Sequence, residues 1–227
     1  MSERFGMKSY MKGAALLTIA ALIVKVLSAI YRVPFQNLVG DEGFYIYQQV
    51  YPIISIFVVW TSSGFAVAIS KMLADNDCNL DPLERNQKRS SIMRIVFRYL
   101  TMLSLLFFVV LFSGAEIIAQ LMGDTQLAPL IRTGSFIVLV MPAHAILKGS
   151  FQSRGIMEPI AYAQVLEQAV RVFVILAGTF IIMKTTESLY SAGQMAIIGT
   201  VIGEIVGFVL LALIFKKRFG LLKDKKQ

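Results

Sequence analysis

The feature that most limits what this chain can become is its series of apolar runs, each nearly free of charge and about 20 residues long, the length a helix needs to cross a bilayer. Inside lipid the backbone has no water to bond to, so a crossing segment is either a helix or a strand of a closed barrel. Barrel strands are about 10 residues long and alternate in polarity. These runs are longer and continuously apolar, which predicts an all-α polytopic membrane protein. Composition agrees: 56% of the 227 residues are hydrophobic, above the roughly 45–50% of a soluble domain.

The runs predict one unit of six transmembrane helices, at about 13–33, 44–69, 95–118, 127–147, 158–183 and 192–215. The first is expected to end ahead of Pro34, because a residue before proline avoids the helical region. Within the second, Pro52 and the cluster Thr61-Ser62-Ser63-Gly64 are bending points. A polar segment at about 71–94 and a basic tail at 216–227 complete the chain. Of the 22 basic residues, all but Lys25, Arg32, Arg132, Arg171 and Lys184 fall on the N-terminal segment, the 71–98 stretch, the connection around Lys148 and Arg154, or the tail. Basic residues gather on cytoplasmic segments, so both termini are expected inside the cell.

The same rule accounts for the net charge of +8. No basic helix with interleaved exposed aromatics stands apart from the spans, so nucleic acid is not an expected partner. Cys78 is the only cysteine. It excludes an internal disulfide and, in a polar loop without Cys or His neighbours, a structural zinc site. The opening MSERFGMKSYMK has no small-residue cleavage site and is not read as a cleavable signal. No phosphate-binding GxxxxGK[ST] is present. No nucleophile–base pair, metal set or cofactor motif emerges either, so catalytic residues, metal ions and cofactors are not expected. His144 lies beside Pro142 and is read as bonding a carbonyl that the proline frees. A proton relay is the other reading of that residue.

Charges inside the spans are the sharper signal, since each costs at least about 2.5–3.5 kcal/mol to insert at mid-membrane. Lys25 sits halfway along the first span, and Thr18, Lys25, Ser28 and Arg32 share one helical face. Lys25 and Arg32 are about 10 Å apart along it. A hydrated cavity or a pairing with Glu167 or Glu204 would explain Lys25; Arg32 can instead snorkel to the interface. Glu167 and Arg171 are four apart with the acid first, the favourable order for an intrahelical pair. Tyr45, Gln48, Pro52 and Ser55 form a polar stripe on the second span, with Gln49 and Tyr51 off it. Gly199, Gly203 and Gly207 recur every fourth residue and read as a helix-packing face. The basic tail is a topology signal that can also touch anionic membrane lipid.

Three stretches carry a family resemblance: KGAALLTIAALIVKVLSAIYRVPFQNLVGDEGFYIYQQVYPI, FVVWTSSGFAVAISKMLAD, and FQSRGIMEPIAYAQVLEQAVRVFVI. Together they resemble the MurJ-like and sporulation protein B-like polysaccharide flippases of the multidrug/oligosaccharidyl-lipid/polysaccharide exporter superfamily. The third includes a Q-V-x-E-Q-x-x-R pattern at Gln164, Val165, Glu167, Gln168 and Arg171. The resemblance implies the N-terminal six-helix lobe of a two-lobe, alternating-access transporter of the bacterial cytoplasmic membrane. It also implies a second lobe of six to eight helices, and an undecaprenyl-diphosphate-linked saccharide as substrate. Lys25 and Arg32, with Ser28 and Gln48, would then bind the diphosphate in a cationic cavity. Asp41 and Glu42 resemble the family's acidic turn and, with Glu167, Arg171 and Glu204, would serve gating or charge coupling. A multidrug or cation antiporter lobe, and a non-transporting membrane partner or truncated product, are the alternatives.

Overall fold

A computed structural model of the protein describes residues 2–75 and 81–220. Those residues are helical almost throughout: α1 (Ser2–Ile30), α2 (Arg32–Val59), α3 (Ala66–Asp75), α4 (Pro82–Ser113), α5 (Ala115–Leu121), α6 (Ala128–Gln152), α7 (Glu158–Thr185) and α8 (Leu189–Phe215). No strand occurs among them. Cys78 and residues 221–227 of the tail lie outside the described residues.

Among the described residues, five stretches are long and apolar enough to cross a membrane, the first being Met11–Val59. As one straight rod its 49 residues would measure about 74 Å, more than twice the roughly 30 Å hydrocarbon core. Instead the chain reverses at Gly40, whose φ of 69° and ψ of −177° belong to a region essentially reserved for glycine. The consequence is visible in two tyrosines. Tyr31 and Tyr47 would lie about 24 Å apart on a continuous helix, yet their hydroxyls approach to 3.3 Å. Phe35 packs edge-on against Tyr47 at 5.4 Å between ring centres. Gln36 Nε2 donates to Asp41 Oδ1 at 2.7 Å across the turn.

Helix boundaries differ from the expected ones at three places. Helix continues through Tyr31 and past Pro34 as far as Gly40, because Pro34 occupies the first turn of α2, where a missing N–H is tolerated. The polar segment at 71–94 is mostly helical, α3 running to Asp75 and α4 starting at Pro82. Asp81 is extended ahead of that first-turn proline, a favourable helix start. The predicted third span is divided at Gly114 into α4 and α5. A π-helical turn, Trp60–Phe65, widens the second arm over the Thr-Ser-Ser-Gly cluster, and Pro52 lies within α2.

Packing gathers α2, α6, α7 and α8 around a core that includes Phe35, Val50, Ile54, Ile131, Ile175 and Ile197. Helices α7 and α8 run alongside each other more intimately than any other pair, because the α8 glycines remove the side chains between them. A Cβ on Gly203 would meet the Glu167 carbonyl oxygen at 2.8 Å, and one on Gly199 would meet Ile175 Cγ1 at 2.7 Å. The two ends of the bundle are distinct. Lys12, Gly155 and Arg218 surround one depression, whereas Asn37, Lys184 and Glu187 surround another. Both ends of the described chain therefore lie on the same side as the α6–α7 turn.

Candidate functional site

Four helices of this bundle enclose a cavity of about 420 Å³, lined by Lys25 and Ser28 of α1, Tyr51 of α2, Lys148 of α6, and Glu167 and Arg171 of α7, among others. An apolar bundle has put three cations at one hollow. Lys25 is exposed to it and forms no ion pair among the described residues, so the alternative reading, a pairing with Glu167 or Glu204, is not the arrangement seen. Ser28 caps its own helix turn, donating to the Val24 carbonyl at 2.7 Å, and accepts from Gln168 Nε2 at 3.0 Å. That bond ties α1 to α7. Gln168 Oε1 in turn accepts from Arg171 Nη1 at 3.1 Å, and Glu167 Oε1 accepts from Arg171 Nη2 at 2.7 Å. The four-residue spacing thus produces the intrahelical pair it implied, buried against α8.

Lys148 is the residue that the charge pattern misplaced. Counted as part of a cytoplasmic connection, it stands inside α6 at 1% exposure and lines the cavity. It makes no ion pair among the described residues. A buried ammonium is costly, and long cationic side chains are held in such places by a partner or a hydrated hollow. The sequence signal was faint: one lysine four residues after the only histidine, near the end of a largely apolar helix.

His144 takes a different partner from the one expected. Its Nδ1 lies 2.5 Å from Glu204 Oε1 on α8, with both side chains buried. It therefore answers a carboxylate, not a carbonyl freed by Pro142, because α6 and α8 meet at this level. Glu204, which lacked a basic neighbour in sequence, finds one across 60 residues. Among the described residues, His144 Nε2, Glu204 Oε2 and Arg171 Nε are buried without a hydrogen-bond partner. The ligand atoms of His144, Glu167 and Glu204 lie within 4.8 Å of one another, so a proton or a metal ion has donors to meet. Two carboxylates there already face two cations, Lys148 and Arg171.

The remaining sequence candidates lie elsewhere. Arg32 and Gln48 are exposed and are not among the residues lining this cavity. On α2 the lining residues are Tyr51, Val58 and Val59, and none of the stripe Tyr45, Gln48, Pro52 and Ser55 is among them. The reversal at Gly40 rotates the second arm relative to the first, a relation that helical spacing within each arm cannot express. Asp41 and Glu42 sit at the turn, far from the cavity along the bundle, with Asp41 engaged by Gln36.

With this geometry in view, the comparisons are specific. Residues 10–227 match the model of a family described as polysaccharide biosynthesis protein. The chain belongs to that family. It is 42% identical over 219 residues to an uncharacterized membrane protein, YabM, of Bacillus subtilis strain 168, covering 96% of this chain and 40% of that protein. It is 28% identical to the lipid II flippase MurJ of the same organism, over 92% of this chain and 40% of MurJ. The stage V sporulation protein B is also 28% identical, over 92% of this chain and 39% of that protein. The chain thus spans about two fifths of the length of the curated relatives it matches. No solved structure matches it. Membership of this family and the long apolar helices make the chain a multi-pass protein of the bacterial cytoplasmic membrane.

Proposed function

We propose that this chain forms one lobe of a transporter that moves a lipid-diphosphate-linked saccharide across the cytoplasmic membrane by alternating access. The observation that carries the reading is the cavity in which Lys25 and Lys148 face one hollow, neither forming an ion pair among the described residues. A diphosphate leaving the headgroup region loses its water, and cations in a low-dielectric hollow replace it. Lysine supplies a point charge, while Arg171 is held in its intrahelical pair and can release a donor to the ligand. Ser28 and Gln168 add neutral donors beside it.

The topology that fits is six passages, the Met11–Val59 stretch contributing two, with both termini cytoplasmic. Both ends of the bundle that carry Lys12 and Arg218 lie together, as an even number of passages requires. A second lobe of six to eight helices would close the open side of the cavity. Asp41, Glu42, Arg32 and Gln48 then belong to the gate and the inter-lobe face, not to the diphosphate hollow. An antiporter of cations or drugs would want an unpartnered carboxylate in the cavity, and Glu167 and Glu204 are both engaged. Transport, not catalysis, is the activity that the cavity suits.

The test is complementation. In a strain depleted of its flippase and supplied with the completing lobe, Lys25→Ala and Lys148→Ala should each abolish growth at wild-type protein levels, and Arg32→Ala should retain partial function. Normal growth of both lysine variants would remove the cationic-cavity reading.

A further inference from the structure

The cavity wall has a property that anion binding alone does not use. Behind Lys148 and Arg171, three proton-accepting groups converge: His144 from α6, Glu167 from α7 and Glu204 from α8, their acceptor atoms within 4.8 Å of one another. Glycines make this convergence possible, Gly203 and Gly207 letting the Glu167 segment lie directly on α8. Two carboxylates, a lysine, an arginine and a neutral imidazole sum to zero charge. A divalent metal among them would leave two uncompensated positive charges in a membrane interior beside Lys148 and Arg171. A single proton is the occupant that the group accommodates.

Lys148, one turn from His144 on the same helix, and Arg171, paired with Glu167, border both this cluster and the cavity. An anion in the cavity draws on those same cations. Resting on the diphosphate reading above, we propose that the His144–Glu167–Glu204 cluster is a proton-binding site coupled to the cavity, taking up a proton from solvent when an anionic headgroup engages Lys148 and Arg171. The coupling is reciprocal: protonation of the cluster tightens anion binding by the factor with which the anion tightens protonation. The proton passes from a solvent acid to the imidazole or the carboxylate pair, forming one N–H or O–H bond, and returns to solvent when the headgroup leaves. No bond between heavy atoms changes, and only one positive charge is added. Such a lobe carries a proton together with its anionic cargo.

The charged and titratable surroundings of His144 are consistent with this assignment. Its own helix supplies Lys148, α7 supplies Glu167 and Arg171, and α8 supplies Glu204. Across the cavity stand Lys25 of α1 and Tyr51 of α2. Helix α4 carries the buried Arg89 and places Arg94 in a groove also lined by Phe208. The Phe208 ring packs against His144 at 6.3 Å between ring centres. On α3, Lys71 is exposed, and the α5 residue Glu116 pairs with Arg132. Lys148 and Arg171, the cations of α6 and α7 beside the cluster, both border the cavity, where an anion can compensate them.

His144 is the only histidine in the chain, so histidine-selective labelling of an untagged full chain in lipid nanodiscs gives one imidazole resonance. Its pH titration is recorded without and with farnesyl diphosphate, whose binding is followed in parallel by calorimetry in two buffers of different ionisation enthalpy. The expected result is binding with about one proton taken up, and an imidazole midpoint about 1–3 pH units higher in the presence of the probe. Glu204→Gln should bind the probe with the buffer dependence greatly reduced, a comparison that cancels the probe's own protonation. Binding without buffer dependence and without any movement of the midpoint overturns the proton site while leaving the diphosphate reading intact. Absence of probe binding by the wild-type chain overturns both. The resonance of the wild-type chain decides the matter even where Glu204→Gln does not fold.

Discussion

At the scale of single residues, burial separates charges that look alike in sequence. Arg132 and Arg171 each pair with a glutamate at 2.7 Å. The first pair is exposed, and Arg132→Ala should change stability by no more than about 1 kcal/mol. The second is buried, and Arg171→Gln leaves Glu167 uncompensated at a cost of about 3–5 kcal/mol. Glu167→Gln should likewise destabilise, and the double variant should be more stable than Arg171→Gln alone. Thermal unfolding in detergent across this cycle measures the coupling. Strict additivity would mean that the pair does not interact. The Glu167–Arg171 spacing made this contact legible in advance, because i and i+4 are neighbours on any helix. Lys148 and the His144–Glu204 contact were not legible, because one depends on helix depth in the bundle and the other on which faces of α6 and α8 meet.

At the scale of elements, two glycines carry most of the geometry. Gly40 turns the first arm back on the second with a backbone that side chains resist, so Gly40→Ala should cost about 1–3 kcal/mol. Open space surrounds it, so the loss would be conformational and not steric. Gly203 is the opposite case: its backbone is helical and the penalty is contact. Gly203→Ala places a methyl 2.8 Å from the Glu167 carbonyl oxygen and 3.0 Å from Arg171 Cβ. Separating α7 from α8 should cost about 1–3 kcal/mol and should weaken diphosphate binding, since Glu167 and Arg171 move with the helix. A Gly203→Ala chain with unchanged melting and binding would contradict this packing role. The every-fourth glycine pattern announced a close helix contact, but not that the contact would carry the polar cluster.

For the molecule as a whole, the prediction concerns which side each end faces. On the proposed topology, with both termini cytoplasmic, the polar segment containing Cys78 is expected to be cytoplasmic too. Cys78, the single cysteine, should react with a membrane-impermeant maleimide in inverted vesicles and not in intact protoplasts. Labelling in intact protoplasts would reverse the orientation. The chain covers about two fifths of its curated relatives, and one wall of the cavity is open. Flipping by vesicles containing this chain alone should therefore be negligible and should appear when a completing lobe is added.

Length and continuity of the apolar runs determined by themselves that this protein is a bundle of helices in a membrane, since lipid leaves the backbone no other choice for runs of that length. The local spacing of Glu167 with Arg171 and of the α8 glycines supplied two contacts, and the distribution of basic residues supplied the orientation that Cys78 labelling is to test. Only the tertiary structure decided which charges share a hollow. It brought Lys25 and Lys148 together, left Gln48 out of the cavity lining, and joined His144 to Glu204. Periodicity describes the faces of one helix, whereas a site between four helices depends on how those faces are rotated against each other. That rotation is set by a reversal at Gly40 and by close approach at Gly203.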